Sequence, residues 1–101
     1  MPVLMTLRVA ADAQELERRA TENPGRMQAI ADDAKTRGAI SHRFYANDAG
    51  EIMVVDEWES PEAFQAFFAA HPEIQDLMAE VGVTTEPTVT FWRELDTHDR
   101  F

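Results

Sequence analysis

Cysteine is absent from the chain, which excludes disulfides, thiolate metal sites and cysteine nucleophiles. Positive charge is scarce: nine Lys and Arg stand against nineteen Asp and Glu, for a formal charge of −10. A phosphate backbone calls for a basic face, and so does an anionic membrane surface, so neither nucleic acid nor membrane is an expected partner. No apolar run approaches the ~18 residues of a membrane helix. The opening residues Met1 to Arg8 lack the basic start and apolar stretch of a secretory signal. There is no Gly-rich phosphate loop and no Gly-x-Ser-x-Gly elbow. The three histidines, His42, His71 and His98, show no metal-ligand spacing. The expectation is a soluble, cytoplasmic protein with no metal or other cofactor.

What is present reads as one globular domain over residues 1–101. The hydrophobic fraction is 45 % and the charged fraction 28 %, an ordinary folded composition. A chain of this size buries roughly 65 % of its unfolded surface, enough for one modest core.

Hydrophobic period alternates along the chain. Val3, Met5, Leu7 and Val9 recur at spacing two and predict a half-buried strand. Asp12, with Glu15 three residues on, predicts a helix start. Asn23-Pro24-Gly25 predicts a kink or a fresh start, because proline suits a first turn and not a helix interior. Met27, Ile30, Ala31 and Ala34 continue the helix to Gly38. Residues 39–47 and 51–59 then flank Asp48-Ala49-Gly50, a three-residue hairpin loop whose Gly50 suits the left-handed position. Ser60-Pro61-Glu62 opens a second helix, which restarts at His71-Pro72. The last strand is predicted over 87–95, followed by a polar tail from Asp96. The order β-α-β-β-α-β predicts an α+β, ferredoxin-like fold: a four-stranded antiparallel sheet with its helices on one face.

In that hairpin register, opposed residue numbers sum to 98. One face, assigned to the helix side, holds Ile40, His42, Phe44 and Ala46 against Ile52, Val54, Asp56 and Trp58. The other holds Ser41, Arg43 and Tyr45 against Met53, Val55 and Glu57, joined by Leu4, Thr6, Arg8, Thr90 and Trp92. The second face is too apolar for a fully solvated sheet, so a homodimer joined sheet to sheet is expected.

His42 and Asp56 are the sharpest pair for chemistry. Directly opposed, they lie ~5 Å apart at Cβ, and a carboxylate can orient an imidazole as a base. Phe44 and Trp58 flank them, and Phe64, Phe67 and Phe68 roof them from the second helix. An apolar aromatic pocket with one polar pair is the usual form of a small-molecule site. The plain alternative is that His42 and Asp56 only satisfy each other and the aromatics are core. A four-residue loop would shift the register and separate the pair. His71 reads as a local cap or surface residue, and His98 as an inert tail residue.

The βαββαβ order, the length and the segment Glu51-Ile-Met-Val-Val-Asp-Glu-Trp-Glu-Ser-Pro-Glu-Ala-Phe-Gln-Ala-Phe-Phe68 resemble the antibiotic biosynthesis monooxygenase family of dimeric α+β barrels. The resemblance implies a small aromatic or quinone-type substrate, oxidised or bound without metal or flavin. In such a reaction His42 is the base, Asp56 its orienter, and Phe44, Trp58 and Phe67 are walls. The same resemblance admits a non-catalytic small-ligand-binding or dimerisation module. Haem-degrading relatives would need a His ligand at Leu77 and an Asn on the first strand. This chain has neither, and His71 lies roughly two helical turns away, so haem degradation is disfavoured.

Overall fold

Local signals in the sequence account for where each element begins. The computed structural model describes residues 1–101. The elements are β1 (Val3–Ala10), α1 (Ala13–Glu22), α2 (Pro24–Thr36), β2 (Ala39–Ala46), β3 (Glu51–Trp58), α3 (Pro61–Ala70), α4 (Pro72–Glu80) and β4 (Thr88–Trp92). Pro24, Pro61 and Pro72 each open a helix, where the missing N–H has no partner to lose. Asp12 accepts from the Glu15 N–H at 3.1 Å, Asn23 from Arg26 at 3.3 Å and Ser60 from Ala63 at 3.1 Å. Each satisfies an amide that the first turn leaves unpaired.

The four strands form one antiparallel sheet in the order β2-β3-β1-β4. The buried side of the sheet (Met5, Leu7, Val9, Ile52 and Trp58) meets Leu16, Ala34, Phe64, Phe67 and Leu77 from all four helices in a single core. This is the ferredoxin-like α+β fold that the element order predicts. β1 lies in the middle because its alternating Met5, Leu7 and Val9 can be covered from the helix side while Leu4, Thr6 and Arg8 face away. No helix is long and apolar enough to cross a membrane.

The hairpin between β2 and β3 sets the register. Asn47 N–H donates to the Glu51 carbonyl at 3.1 Å, and the Asn47 side-chain oxygen accepts from the amides of Ala49 and Glu51. Gly50 adopts φ +80°, as the three-residue loop requires. From Ser41 to Ala46 every paired number sums to 98, including His42 opposite Asp56.

Three expectations need correction here. A bulge between Ala39 and Ser41 pairs Ala39, not Ile40, with Trp58. Ile40 is the extra residue and is 52 % exposed rather than packed under the helices. The helix layer also fails to cover the rest of β2, whose residues 40–46 are all exposed. β2 is an edge strand, and the helices centre on β1 and β3. The last strand is shorter than predicted and stops at Trp92.

Gly50→Ala should lower stability by about 1–2 kcal/mol in urea denaturation. No atom lies near the added methyl, so the cost is the left-handed backbone alone.

Candidate functional site

Between the sheet and the helices lies a cavity of about 130 Å³, lined by 24 residues of which 22 are hydrophobic. The two others are His42 and Asp56. Phe44, Trp58, Phe64, Phe67 and Phe68 also line it, so the residues singled out in the sequence share one space. Only His42 and Phe44 among the lining residues are exposed. They place the mouth at the β2 edge, where the helix layer stops short.

Asp56 is the only charged residue in the buried set, at 6 % exposure. An ionised carboxylate in such a place needs hydrogen-bond donors. His42 Nδ1 donates to Oδ1 at 2.7 Å, and Trp58 Nε1 donates to Oδ2 at 3.0 Å. The carboxylate accepts only, so its contact fixes the imidazole tautomer and leaves Nε2 as the uncommitted nitrogen. Strand alternation makes this possible, because Asp56 and Trp58 are two apart and face the same side. Sequence spacing predicts the proximity of Trp58 but not its role as a donor. The aromatic walls pack around the wholly buried Trp58, with Phe64 at 5.6 Å and Phe67 at 5.3 Å between ring centroids. The His42 and Phe44 rings pack in a T-shaped arrangement, 5.0 Å between centroids.

Phe44 is less enclosed than a pocket wall would be, at 40 % exposure, because the helices do not reach β2. Leu77 is buried core on α4.

His71 corrects a sequence expectation. It stands between α3 and α4, but its side chain caps neither helix. Its ring is 13 % exposed; Nε2 lies 2.5 Å from Asp33 Oδ2 on α2, and Nδ1 contacts Glu73. Asp33 and then Glu73 raise the imidazole above the usual histidine value. The same ring, with Arg37, holds the Asp33 carboxyl below its usual value. Phe67, a cavity wall, packs on His71 at 4.6 Å. A second clamp crosses the layer at Glu80, which receives Arg26 at 2.8 Å and Arg19 at 2.6 Å. The Arg26 guanidinium, more than Arg19, holds the Glu80 carboxyl down to about 2. The partner of His71 is 38 residues away in sequence, so no local signal could reveal it.

No protein-family model matches the chain, and no curated protein matches it in sequence. Solved structures share its fold. An antibiotic biosynthesis monooxygenase superposes with a TM-score of 0.64 at 9 % identity, over 95 % of this chain and 100 % of that one. A dimeric ferredoxin-like protein from an uncultured marine organism gives 0.65 at 15 % identity, over 99 % and 93 %. A monooxygenase from the gene ActVA-Orf6 of Streptomyces coelicolor, in complex with nanaomycin D, gives 0.62 at 20 % identity, over 95 % and 88 %. The chain therefore has a ferredoxin-like α+β fold, shared with solved structures of antibiotic biosynthesis monooxygenase-like proteins.

The His71 clamp has a defined pH window. Its raised imidazole contributes stability fully below the ordinary histidine pKa near 6.5 and loses it as pH rises through the folded value. Asp33, with its lowered pKa, contributes above 3.8 and loses that as pH falls through its folded value. The stability difference between the protein and His71→Gln should therefore be largest between about pH 4 and 6.5 and shrink on either side. Urea midpoints across pH 3–9 read it directly.

Proposed function

We propose that the chain is a monooxygenase-like protein that binds a small aromatic or quinone-type molecule in the interlayer cavity and oxidises it with dioxygen. The observation that carries this reading is the orientation of His42 by a buried carboxylate at the mouth of an otherwise apolar, aromatic-walled cavity. His42 acts as the general base: Nε2 takes the proton of a phenolic hydroxyl. The resulting phenolate is electron-rich and reacts with oxygen directly, without metal or flavin. One oxygen atom enters the ring carbon, and the other leaves as water with two hydrogens from the substrate. A phenol thereby becomes a quinone, and the substrate supplies all four electrons. Asp56 positions the base, Trp58 secures Asp56, and Phe44, Phe64, Phe67 and Phe68 hold the ring plane. The fold shared with a monooxygenase bound to nanaomycin D supports the same reading.

A second reading, a non-catalytic ligand-binding or dimerisation module, is favoured by the hydrogen bonds that both Asp56 oxygens accept within the chain. Oxygen uptake separates the two. In a panel of hydroxylated aromatics, the protein should consume oxygen, and His42→Ala should lose roughly 10²-fold or more of that rate while unfolding cooperatively in urea. Ligand stabilisation with no oxygen uptake favours the module.

The sheet face away from the helices is proposed to meet a second copy of this chain. Leu4, Tyr45 and Trp92 are 41 %, 48 % and 52 % exposed on or beside that face. The Trp92 indole N–H donates to Thr6 Oγ1 at 2.9 Å, tying β4 to β1 across it. One structural neighbour of the same fold is dimeric. Sedimentation at micromolar concentration should give about twice the 11.4 kDa chain mass, and Trp92→Glu should shift the protein toward the single chain. An 11.4 kDa species for the unaltered protein would remove the dimer.

A further inference from the structure

The cavity also sets the size and polarity of its occupant. An apolar protein cavity of about 150 Å³ accepts one benzene ring, and the interlayer space here measures about 130 Å³. A single six-membered ring fits; a fused three-ring system requires the helix layer to move. No Arg or Lys is among the lining residues, so a carboxylate on the ligand would meet no cation. It would also lie in the same low-polarity space as the buried Asp56, where like charges repel strongly. Both Asp56 oxygens are already taken, by His42 Nδ1 at 2.7 Å and Trp58 Nε1 at 3.0 Å. In the neutral imidazole Nδ1 carries the proton and Nε2 is an acceptor. The Asp56 side chain is only 8 % exposed and engaged at both oxygens, whereas the His42 side chain is 41 % exposed, so His42 Nε2 is the accessible side-chain acceptor in an otherwise apolar wall.

We infer that the cavity selects a neutral, single-ring aromatic carrying one hydrogen-bond donor, of the phenol or aniline class, and rejects three-ring and carboxylated aromatics. The inference rests on the cavity being the ligand site, as in the function proposed above, and narrows that site to one class of molecule.

The test is a titration at pH 8, by calorimetry and thermal shift, with phenol, toluene, benzoate and 2-hydroxyanthraquinone, alongside an oxygen electrode. Phenol and toluene should bind and raise Tm, with phenol preferred over toluene. Benzoate should bind at least tenfold more weakly than phenol, and 2-hydroxyanthraquinone should give no shift. In His42→Ala the preference for phenol over its isostere toluene should fall roughly tenfold, the size of one hydrogen bond. His42→Gln serves the same purpose if the alanine variant does not fold. Equal binding of benzoate and phenol, tighter binding of the three-ring compound, or an unchanged phenol preference in the variant overturns the inference. Phenol binding without oxygen uptake leaves the selection standing and removes the oxidation. Oxygen uptake with the three-ring compound alone does the reverse. No shift with any of the four compounds removes the cavity as a ligand site.

Discussion

A carboxylate held in a hydrocarbon layer is the constraint around which this molecule is arranged. Asp56 sits at 6 % exposure among the side chains of the main core. An ion in that position costs several kcal/mol unless well-placed donors meet it. The donors come from two strands: the Trp58 indole from its own and the His42 imidazole from the edge strand alongside. Removing either partner leaves a buried charge underpaired, a larger loss than the bond itself is worth. The same arrangement makes the cavity chemically useful, because the imidazole that satisfies the carboxylate keeps one nitrogen free at the open edge.

The helices over that cavity are held partly from their rims. His71 ties the α3–α4 junction to Asp33 on α2, and Glu80 gathers Arg19 and Arg26 from α1 and α2. These clamps lie outside the apolar layer, so they join helix to helix without filling the space beneath. The His71 clamp is also the one whose charge state changes nearest neutral pH. Phe67 touches both His71 and Trp58, which makes it the side chain common to the clamp and the cavity wall.

The fold is shared with monooxygenase-like structures at 9 to 20 % identity, a level at which architecture persists while the lining of a site is free to change. Function on such a scaffold resides in the side chains around the space between sheet and helices. In this chain those side chains are one oriented imidazole, one carboxylate bonded at both oxygens and a surround of hydrocarbon and aromatic groups. They suit the proton removal proposed above better than they suit anion recognition.

What the sequence by itself determined is local. Proline and capping residues marked four helix starts, alternation marked the strands, and the Asp48-Ala49-Gly50 loop set the number that paired residues share. From that number alone, His42 falls opposite Asp56, because a hairpin's register depends only on its turn and its period of two. Tertiary structure decided the rest, since coverage and long-range pairing depend on residues far apart in the chain. It placed Ile40 in a bulge and left β2 beyond the helices, exposing Phe44 and opening the cavity at that edge. It also directed the His71 side chain from its capping position onto Asp33, and it brought the Trp58 indole onto the free oxygen of Asp56. The exposure of β2 and the His71–Asp33 pairing depend on how far one layer extends over another, a distance that no periodicity records.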